Sequence, residues 1–250
     1  MVERKKMSTL KPIVTMTSWK GRILNVPKVL DSIAAQTEIP VKIELNLSEE
    51  EFPGREKDLP DGVTSWTSKG KVWGGSIYAP EIKLEIHWVK RNTKSFKKLI
   101  PTIQRHFTDR ERPIITIDDD VIYPPFFIHD FLSASEEYPD HIISNNFCRG
   151  MYSGQQCVNG AGTLYKPKFF TPFLWEELTD DIIATNADDW WYSFCLWITG
   201  VRPVRYIPIK MEFFNEVSPN EHSEIDPRVV LQRKWLEVIH RPEVSGGAGK

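Results

Sequence analysis

Three consecutive aspartates, Asp118 to Asp120, are the residues whose types and spacing point most directly to chemistry, and they follow an apolar, β-branched run. Like charges this close repel one another and resist removal from water, so the cluster is expected to attract a cation. Because side chains alternate along a strand, a strand over 114–118 would turn Asp118 and Asp120 to one side and Asp119 to the other. Carboxylate oxygens are the ligands of hard divalent ions, so the pattern predicts a Mg²⁺ or Mn²⁺ site.

The same run has an ordinary alternative, because acidic segments often lie in solvated loops or at helix starts. The apolar segment in front of the aspartates favours the metal site. In open α/β sheets, ligand sites lie at the carboxyl ends of strands, which is where a strand ending at residue 118 would place these side chains.

A second acidic pair, Asp188 and Asp189, precedes the strongly apolar segment 190–198, which is predicted to be a helix that ends at Gly200. Acids at a helix N-terminus commonly accept hydrogen bonds from unpaired N–H groups and complement the helix dipole. One carboxylate of the pair can have that role while the other acts as a general base, positioned by the helix and by its aromatic residues.

The basic segment 91–98 follows a predicted strand and precedes a predicted helix. Cations at a helix N-terminus oppose the helix dipole, so their placement favours a bound anion such as phosphate. A solvated helix start is the alternative. Lys98, and Lys97 after it, are the predicted anion contacts.

The hydrophobic periodicity around these residues predicts a single α/β domain. Predicted strands cover 13–16, 41–47, 82–88, 114–118, 141–144, 158–165 and 204–209. Predicted helices begin near Asn25 and Pro27 and cover 96–107, 168–178, 190–198 and 226–241, with an irregular start at Pro101. Residues 48–81 are predicted to form a long connection, and Asn25 is the predicted N-cap of the first helix.

Composition limits the function classes. The formal net charge of −2 over 250 residues gives no global basic field for nucleic acid. Three cysteines, with none in CxxC spacing, make a structural zinc site or a disulfide framework an unfavoured interpretation. The polar and basic residues 1–11 contain no apolar stretch of signal-peptide or membrane-span length, so a cytoplasmic location is expected.

The order of these features resembles the GT-A class of nucleotide-sugar glycosyltransferases, in particular the bacterial family 2-like enzymes. The resemblance runs from Pro12 to Ile209. It is carried by the segments Thr15-Met16-Thr17-Ser18-Trp19, Asp118-Asp119-Asp120 as a DxD motif, Gly160-Ala161-Gly162, and Asn186-Ala187-Asp188-Asp189-Trp190-Trp191 in the place of the family's acidic base motif.

The resemblance implies a Rossmann-like GT-A domain with a mixed central sheet flanked by helices. This domain would span 12–210, with a nucleotide-sugar-binding half over 12–125 and an acceptor-binding half over 126–210. An N-terminal tail over 1–11 would precede it. A C-terminal extension over 211–244, with a helix, and a flexible tail over 245–250 would follow. That helix is expected either to pack on the domain, the favoured alternative, or to associate peripherally with an anionic membrane.

The resemblance also implies roles for individual residues. Mn²⁺ or Mg²⁺, held by Asp118 and Asp120, would neutralise the diphosphate of a UDP-sugar, and Asp119 would face the ribose. A late histidine, His222 or alternatively His240, would be the third metal ligand. Further donor contacts are expected from Thr15, Thr17, Trp19, Arg22, Asn46 and Lys98.

The acidic pair at the helix start would supply the catalytic base, with Asp189 as the first candidate and Asp188 as the second. The implied function is inverting transfer of a sugar from a UDP-sugar to a hydroxyl of a glycan or lipid-linked glycan. The acceptor would be of the surface polysaccharide, lipopolysaccharide or capsule type.

Two other function classes remain open at this point. Haloacid-dehalogenase-like phosphatases also use a strand followed by Asp-x-Asp and a later Asp-Asp pair that binds Mg²⁺, although their nucleophile usually lies near the chain start. A non-catalytic carbohydrate-binding protein is suggested by the nine tryptophans. Such modules are typically all-β, and the predicted helices argue against this class.

Overall fold

The computed structural model describes residues 10–68, 81–145, 161–200, 204–214 and 225–240, and the backbone of 148–149 and 156–157. Within these residues the eleven strands β1 to β11 are Ile13–Thr17, Lys42–Ser48, Lys83–Val89, Ile114–Thr116, Val121–Ile122, Ile142–Ser144, Cys148–Arg149, Gln156–Cys157, Thr163–Tyr165, Val204–Tyr206 and Glu212–Phe213. The eight α-helices α1 to α8 of the same residues are Val26–Ala34, Asp61–Thr64, Ile100–Arg105, Phe127–Glu137, Phe173–Glu176, Asp180–Ala184, Asp188–Ile198 and Pro227–Ile239. Short 3-10 helices span Ile23–Asn25, Arg55–Asp58, Lys94–Lys98 and Pro167–Phe169.

Across the described chain, a seven-stranded sheet has the order β10-β6-β9-β4-β1-β2-β3. Strand β1 pairs in parallel with β2 and β4, and β2 pairs in parallel with β3. Strand β9 is antiparallel to both of its neighbours, β4 and β6, whereas β10 is parallel to β6. The predicted α/β fold with a mixed central sheet flanked by helices is therefore confirmed.

Both faces of this sheet are covered, and the alternation of side chains along the central strands explains why. Val14 of β1 and Ile115 of β4 enter one hydrophobic core with α1 and α4, whereas Ile13 and Ile114 enter a second core with α3 and α7. Each fully buried aliphatic side chain contributes roughly 1.5–3 kcal/mol relative to an exposed one. The result is a three-layer arrangement of helices, sheet and helices.

Several element boundaries differ from the sequence predictions for local reasons. Strand β4 ends at Thr116 instead of 118. The predicted helix 168–178 is divided into the 3-10 helix Pro167–Phe169 and α5, because proline at 172 lacks an N–H group and begins a new helix. Asn25 lies at the N-cap position of α1, but its side chain makes no capping hydrogen bond. The irregular start near Pro101 is confirmed as the 3-10 helix Lys94–Lys98 before α3.

Helix α8 packs on the domain, as favoured from the sequence. Val230 and Leu231 belong to the second core, and the Trp235 ring lies 4.2 Å from that of Trp197 between centroids. The Lys234 ammonium forms an ion pair with Glu177. Among the described residues, every helix is too short or too polar to cross a membrane.

A buried polar network fills the space between β2 and α3. The Glu44 side chain is fully buried, and one of its oxygens lies 2.7 Å from both Lys42 Nζ and His106 Nε2. The other oxygen accepts hydrogen bonds from Thr102, at 2.9 Å, and from Arg105. Burial alone would raise the pKa of Glu44, but the hydrogen bonds from His106, Lys42 and Arg105 outweigh burial and hold that pKa well below its usual range.

We expect Glu44→Gln to lower the free energy of unfolding by about 2–4 kcal/mol at pH 7, because it removes the fully buried anion that the buried Thr102 and the partly exposed Lys42 and Arg105 contact. Since the pKa of Glu44 is depressed in the folded state, its contribution is present above the unfolded pKa of about 4.3 and is lost as the pH falls. The difference between wild type and variant, measured by urea unfolding, should therefore shrink below about pH 4.

Glu85→Gln is the matched control, because Glu85 is the register partner of Glu44 and also contacts Lys42, but its side chain is 20% exposed. We expect it to cost less than about 1 kcal/mol. Equal losses for the two variants would show that the network is not the source of this stability.

Candidate functional site

A cleft of about 710 Å³ opens at the carboxyl ends of β1 to β4. This volume lies within the range of about 300–1,000 Å³ that is usual for sites of small ligands. Its described lining consists of Thr17, Ser18, Trp19, Arg22, Glu51, Asn92, Lys94, Ser95, Lys97, Lys98, Asp118, Asp119, Asp120, Asn186 and Phe213.

The topology of the sheet explains the position of the cleft. From β1 the chain passes to β2 on one side, whereas β4 lies on the other side of β1, so the strand order reverses between β1 and β4. The loops that leave these two strands diverge and create a crevice, the usual ligand site of open α/β sheets. Thr17, Ser18, Trp19 and Arg22 from the turn after β1 and the three aspartates from the turn after β4 line it side by side.

The three aspartates lie in a turn, because β4 ends at Thr116 and β5 begins at Val121. The prediction that a strand over 114–118 would orient Asp118 and Asp120 to one side by alternation is therefore wrong, since the strand ends before them. Neighbouring cations organise them instead. The Arg22 Nη1 atom lies 3.1 Å from Asp119 Oδ1 and 2.8 Å from Asp120 Oδ2, and Lys98 forms an ion pair with Asp118.

The electrostatics of this turn favour an additional cation. Burial raises the pKa of Asp119, although hydrogen bonds from Ser18, at 2.6 Å, and from Arg22 oppose the shift. Burial and the charge of Asp118 raise the pKa of Asp120 as well. The carboxylates thus repel one another in a partly desolvated place, where a divalent ion would stabilise their charged forms.

Lys98 joins the two acidic groups that the sequence separates by 70 positions. Its ammonium contacts Asp118 and lies 3.7 Å from Asp188 Oδ2, and its side chain is only 7% exposed. Burial by itself would lower the pKa of Lys98, but the carboxylates of Asp118 and Asp188 outweigh burial and raise it. The cleft and the start of α7 therefore belong to one electrostatic cluster.

At the start of α7 the two aspartates have different surroundings. Asp188 is buried, and its Oδ2 atom lacks a hydrogen-bond partner among the described residues. Asp189 accepts a hydrogen bond from the backbone N–H of Trp190 at 2.9 Å. Burial, and then the Asp188 charge, raise the pKa of Asp189 to about 7. Neither residue belongs to the described lining of the cleft, whereas Asn186 does.

The structure brings together most of the predicted site residues but not all of them. Thr17, Trp19, Arg22, Lys98 and the three aspartates line the cleft. Thr15 and Asn46 do not, because both are fully buried in the polar network under α3, where Asn46 Nδ2 donates to Thr15 and Thr102, each at 3.1 Å. The Thr15 hydroxyl also donates to the backbone oxygen of Lys98 at 2.6 Å. His222 and Gly160 lie outside the described residues.

Trp19 presents its ring to the cleft through a close contact with the backbone. A Cβ atom on Gly21 would lie 2.2 Å from the Trp19 ring, so a larger residue at this position would require the ring to move. Glycine at position 21 therefore leaves space for the Trp19 ring beside the turn after β1. An aromatic face in this place is suited to stacking with a planar ligand group.

Several cleft residues were not identified from the sequence. Ser18 positions Asp119, and Phe213 reaches the cleft on a late strand.

The predicted alternative anion contact, Lys97, lines the cleft but donates to Glu51 at 2.7 Å and to Asn92. Lys94 and Asn186 both have positive φ, near 51°, an uncommon backbone conformation that often occurs at functional sites. Ser95 and Asn186 are hydrogen-bonded to each other at 3.2 Å, and no sequence periodicity indicates this contact.

The residues of the cleft fit a hard divalent ion, because Asp118 and Asp120 offer carboxylate oxygens at an open wall. A different group, Glu44, Glu85 and His87, places one ligand atom of each residue within 4.8 Å of the others and could hold a metal. There, however, Lys42 Nζ already contacts both glutamates, at 2.7 and 2.8 Å. The cleft has the same feature, because Lys98 contacts Asp118 and Arg22 lies 2.8 Å from Asp120, so a metal in either place would have to compete with a cation.

Comparison with known proteins gives no family assignment. Neither the models of known protein families nor the curated proteins include a match to this chain.

The buried contact between Lys98 and Asp118 should contribute measurably to stability. In a double-mutant cycle of Lys98→Met and Asp118→Asn, we expect a coupling free energy of about 1–3 kcal/mol, because each charge stabilises the other in a desolvated place. The measurement is the urea unfolding free energy of the four proteins.

The control cycle is Lys168→Met with Asp140→Asn, an ion pair of 3.0 Å in which Asp140 is 81% exposed. Exposed pairs contribute about 0–1 kcal/mol. If the Lys98 cycle gave no larger coupling than this control, Lys98 would not be the electrostatic link between the acidic groups.

Proposed function

We propose that this protein is a metal-dependent, inverting glycosyltransferase of the GT-A class that transfers a sugar from a UDP-sugar to a hydroxyl of a glycan acceptor. The observation that carries the proposal is the position of Lys98 between Asp118 of the cleft and Asp188 of α7. Through Lys98, the aspartates that would hold the metal for the donor diphosphate and the acidic pair that would supply the base belong to one site. Inverting transfer needs both parts.

The donor half of the proposed site is the wall formed by the turns after β1 and β4. Asp118 and Asp120 would hold Mn²⁺ or Mg²⁺, which supplies positive charge to the leaving diphosphate. Arg22, at 2.8 Å from Asp120, would add a second positive charge beside the diphosphate. Trp19 offers an aromatic face for the uracil ring. Asp119, whose two oxygens accept hydrogen bonds from Ser18 and Arg22, would accept a further one from the ribose.

The acceptor half is the start of α7. Asp189 would take the proton from the acceptor hydroxyl, whose oxygen then forms a bond to the anomeric carbon as the bond to the diphosphate breaks on the opposite face. A pKa of about 7 suits this role, because the carboxylate is available near neutral pH and still has a high proton affinity. Asp188, which contacts Lys98, is the second candidate for the base.

The phosphatase alternative is supported by one observation. A nucleophilic Asp118 beside a buried Lys98, with Asp188 close by, would also suit attack on a phosphomonoester. Against this alternative, Asp118 follows the fourth strand of the chain rather than the first. A cleft of about 710 Å³ with an aromatic face also has space for a whole nucleotide sugar.

The proposed acceptor is a surface polysaccharide, lipopolysaccharide or capsule glycan, and the proposed place of action is the cytoplasm, with peripheral association at the membrane if the acceptor is lipid-linked. These assignments rest on the resemblance of the sequence motifs. A peripheral contact would use the outer face of α8, where Val229 and Leu236 are exposed.

The product released from a nucleotide sugar distinguishes the functions. With Mn²⁺ and a panel of UDP-sugars, we expect slow release of UDP in the absence of acceptor. Release of orthophosphate from phosphomonoesters would instead support the phosphatase. If neither product were released, a non-catalytic binding protein would be the remaining interpretation.

Asp120→Asn tests the metal assignment by thermal shift, because an amide is a weaker ligand and carries no charge. Wild type with UDP and Mn²⁺ at about 100 times the Kd should gain about 2.7 kcal/mol of stability, or roughly 5–10 °C in Tm, and the variant should lose this gain. Asp140→Asn, at an exposed position remote from the cleft, should keep it. An unchanged Mn²⁺-dependent shift in Asp120→Asn would refute the metal site.

The proposed base predicts a pH profile. Since Asp189 must be deprotonated to act, kcat/KM should rise about tenfold per pH unit below its pKa of about 7 and level off above it. Asp189→Asn should lose transfer by roughly 10²- to 10⁴-fold and retain the thermal shift with UDP and Mn²⁺. Asp181→Asn, at the exposed start of the neighbouring α6, is the control and should have the wild-type profile. Near-normal transfer by Asp189→Asn would assign the base to another residue.

A further inference from the structure

Among the exposed large apolar residues of the described chain, Phe213 is distinguished by its position at the cleft. Its side chain lines the cleft, yet the residue is 62% exposed. Large apolar side chains at a cleft rim are a common feature of binding surfaces, because they gain free energy only when a ligand covers them.

The backbone holds Phe213 beside the acidic turn. Strand β11 pairs antiparallel with β5, so Phe213 is the register partner of Val121, the residue directly after Asp120. The next N–H group, that of Phe214, donates a hydrogen bond to the backbone oxygen of Asp120 at 3.1 Å. The Phe214 ring faces inward and lies 4.0 Å from Lys28 Nζ, measured to its centroid. The position of the Phe213 ring is therefore tied to the position of the aspartates.

An exposed aromatic ring at a cleft has the chemistry of a sugar platform. A pyranose has an apolar face of C–H groups that packs against such a ring. A second nucleobase site is less suited to this place, because the half-buried Trp19, which lines the same cleft, is already assigned to the base.

We propose that Phe213 is the stacking platform for a pyranose ring of the acceptor. The inference rests on the proposed function and deepens it by assigning the acceptor side of the cleft. The donor groups are already assigned to Trp19, Arg22 and the aspartates, so the ring that stacks on Phe213 belongs to the acceptor.

The chain contains a matched control for this role. Phe126 is 58% exposed, and it follows β5 and precedes α4, but it does not belong to the described lining of the cleft. Phe126→Ala removes an exposed ring of the same type at a similar exposure. Any general effect of losing a surface phenylalanine will appear in both variants.

The test measures binding of methyl pyranosides of glucose, galactose, mannose and N-acetylglucosamine by ligand-observed NMR, with UDP and Mn²⁺ present. For the glycosides that bind wild type, Phe213→Ala should weaken binding by roughly 2- to 10-fold, whereas Phe213→Tyr and Phe126→Ala should leave it unchanged. The thermal shift with UDP and Mn²⁺ should be the same in all four proteins, which also shows that the variants are folded.

Two results would overturn the proposal. One is that no glycoside of the panel binds wild type, and the other is that Phe213→Ala binds as well as Phe126→Ala. UDP release from UDP-sugars, measured separately, distinguishes this failure from a failure of the proposed function. If glycoside binding depends on Phe213 but no UDP is released, the sugar platform stands and the transferase assignment is wrong.

Discussion

The buried ammonium of Lys98 is the interaction on which the geometry of the site depends. Removing an ammonium from water costs several kcal/mol, and this cost is offset only because Asp118 and Asp188 lie beside it. The backbone of Lys98 is held from the other side, since its oxygen accepts a hydrogen bond from Thr15 of the central strand. Strand β1, the turn after β4 and the start of α7 thus meet at one residue.

The same crowding of charge accounts for the two chemical properties proposed for the site. Carboxylates that repel one another around Asp118 to Asp120 attract a divalent cation, because desolvation makes their charges costly. Farther from the cleft wall, burial and the charge of Asp188 give Asp189 a proton affinity suited to a base. Metal binding and proton abstraction can therefore both be proposed for one cluster of carboxylates, because its members differ in burial and in their cationic neighbours.

Predictions from the sequence succeeded where the pattern is local. The alternation in 41–47 and 82–88 identified β2 and β3, and the apolar run after Asp189 identified α7, because strand and helix periods follow from backbone geometry. Exposure was harder to predict. Thr15 and Asn46 have the polar side chains of ligand contacts, but α3 covers them. The adjacent Lys97 and Lys98 are chemically alike, yet Lys97 pairs with Glu51 and Lys98 with Asp118. The 3-10 helix that contains both directs their side chains in different directions.

From the residue pattern come the α/β class, the main strands and the two acidic clusters, since these depend on near neighbours and on the contrast between apolar and polar side chains. Helix α4, Phe127–Glu137, was not predicted from the pattern. The folded chain adds the contacts between distant residues. It ends β4 at Thr116, places acids 70 positions apart on one lysine, and brings Phe213 to the acidic turn through the pairing of β11 with β5. Such contacts depend on how all the layers pack at once, and no short stretch of sequence contains that information.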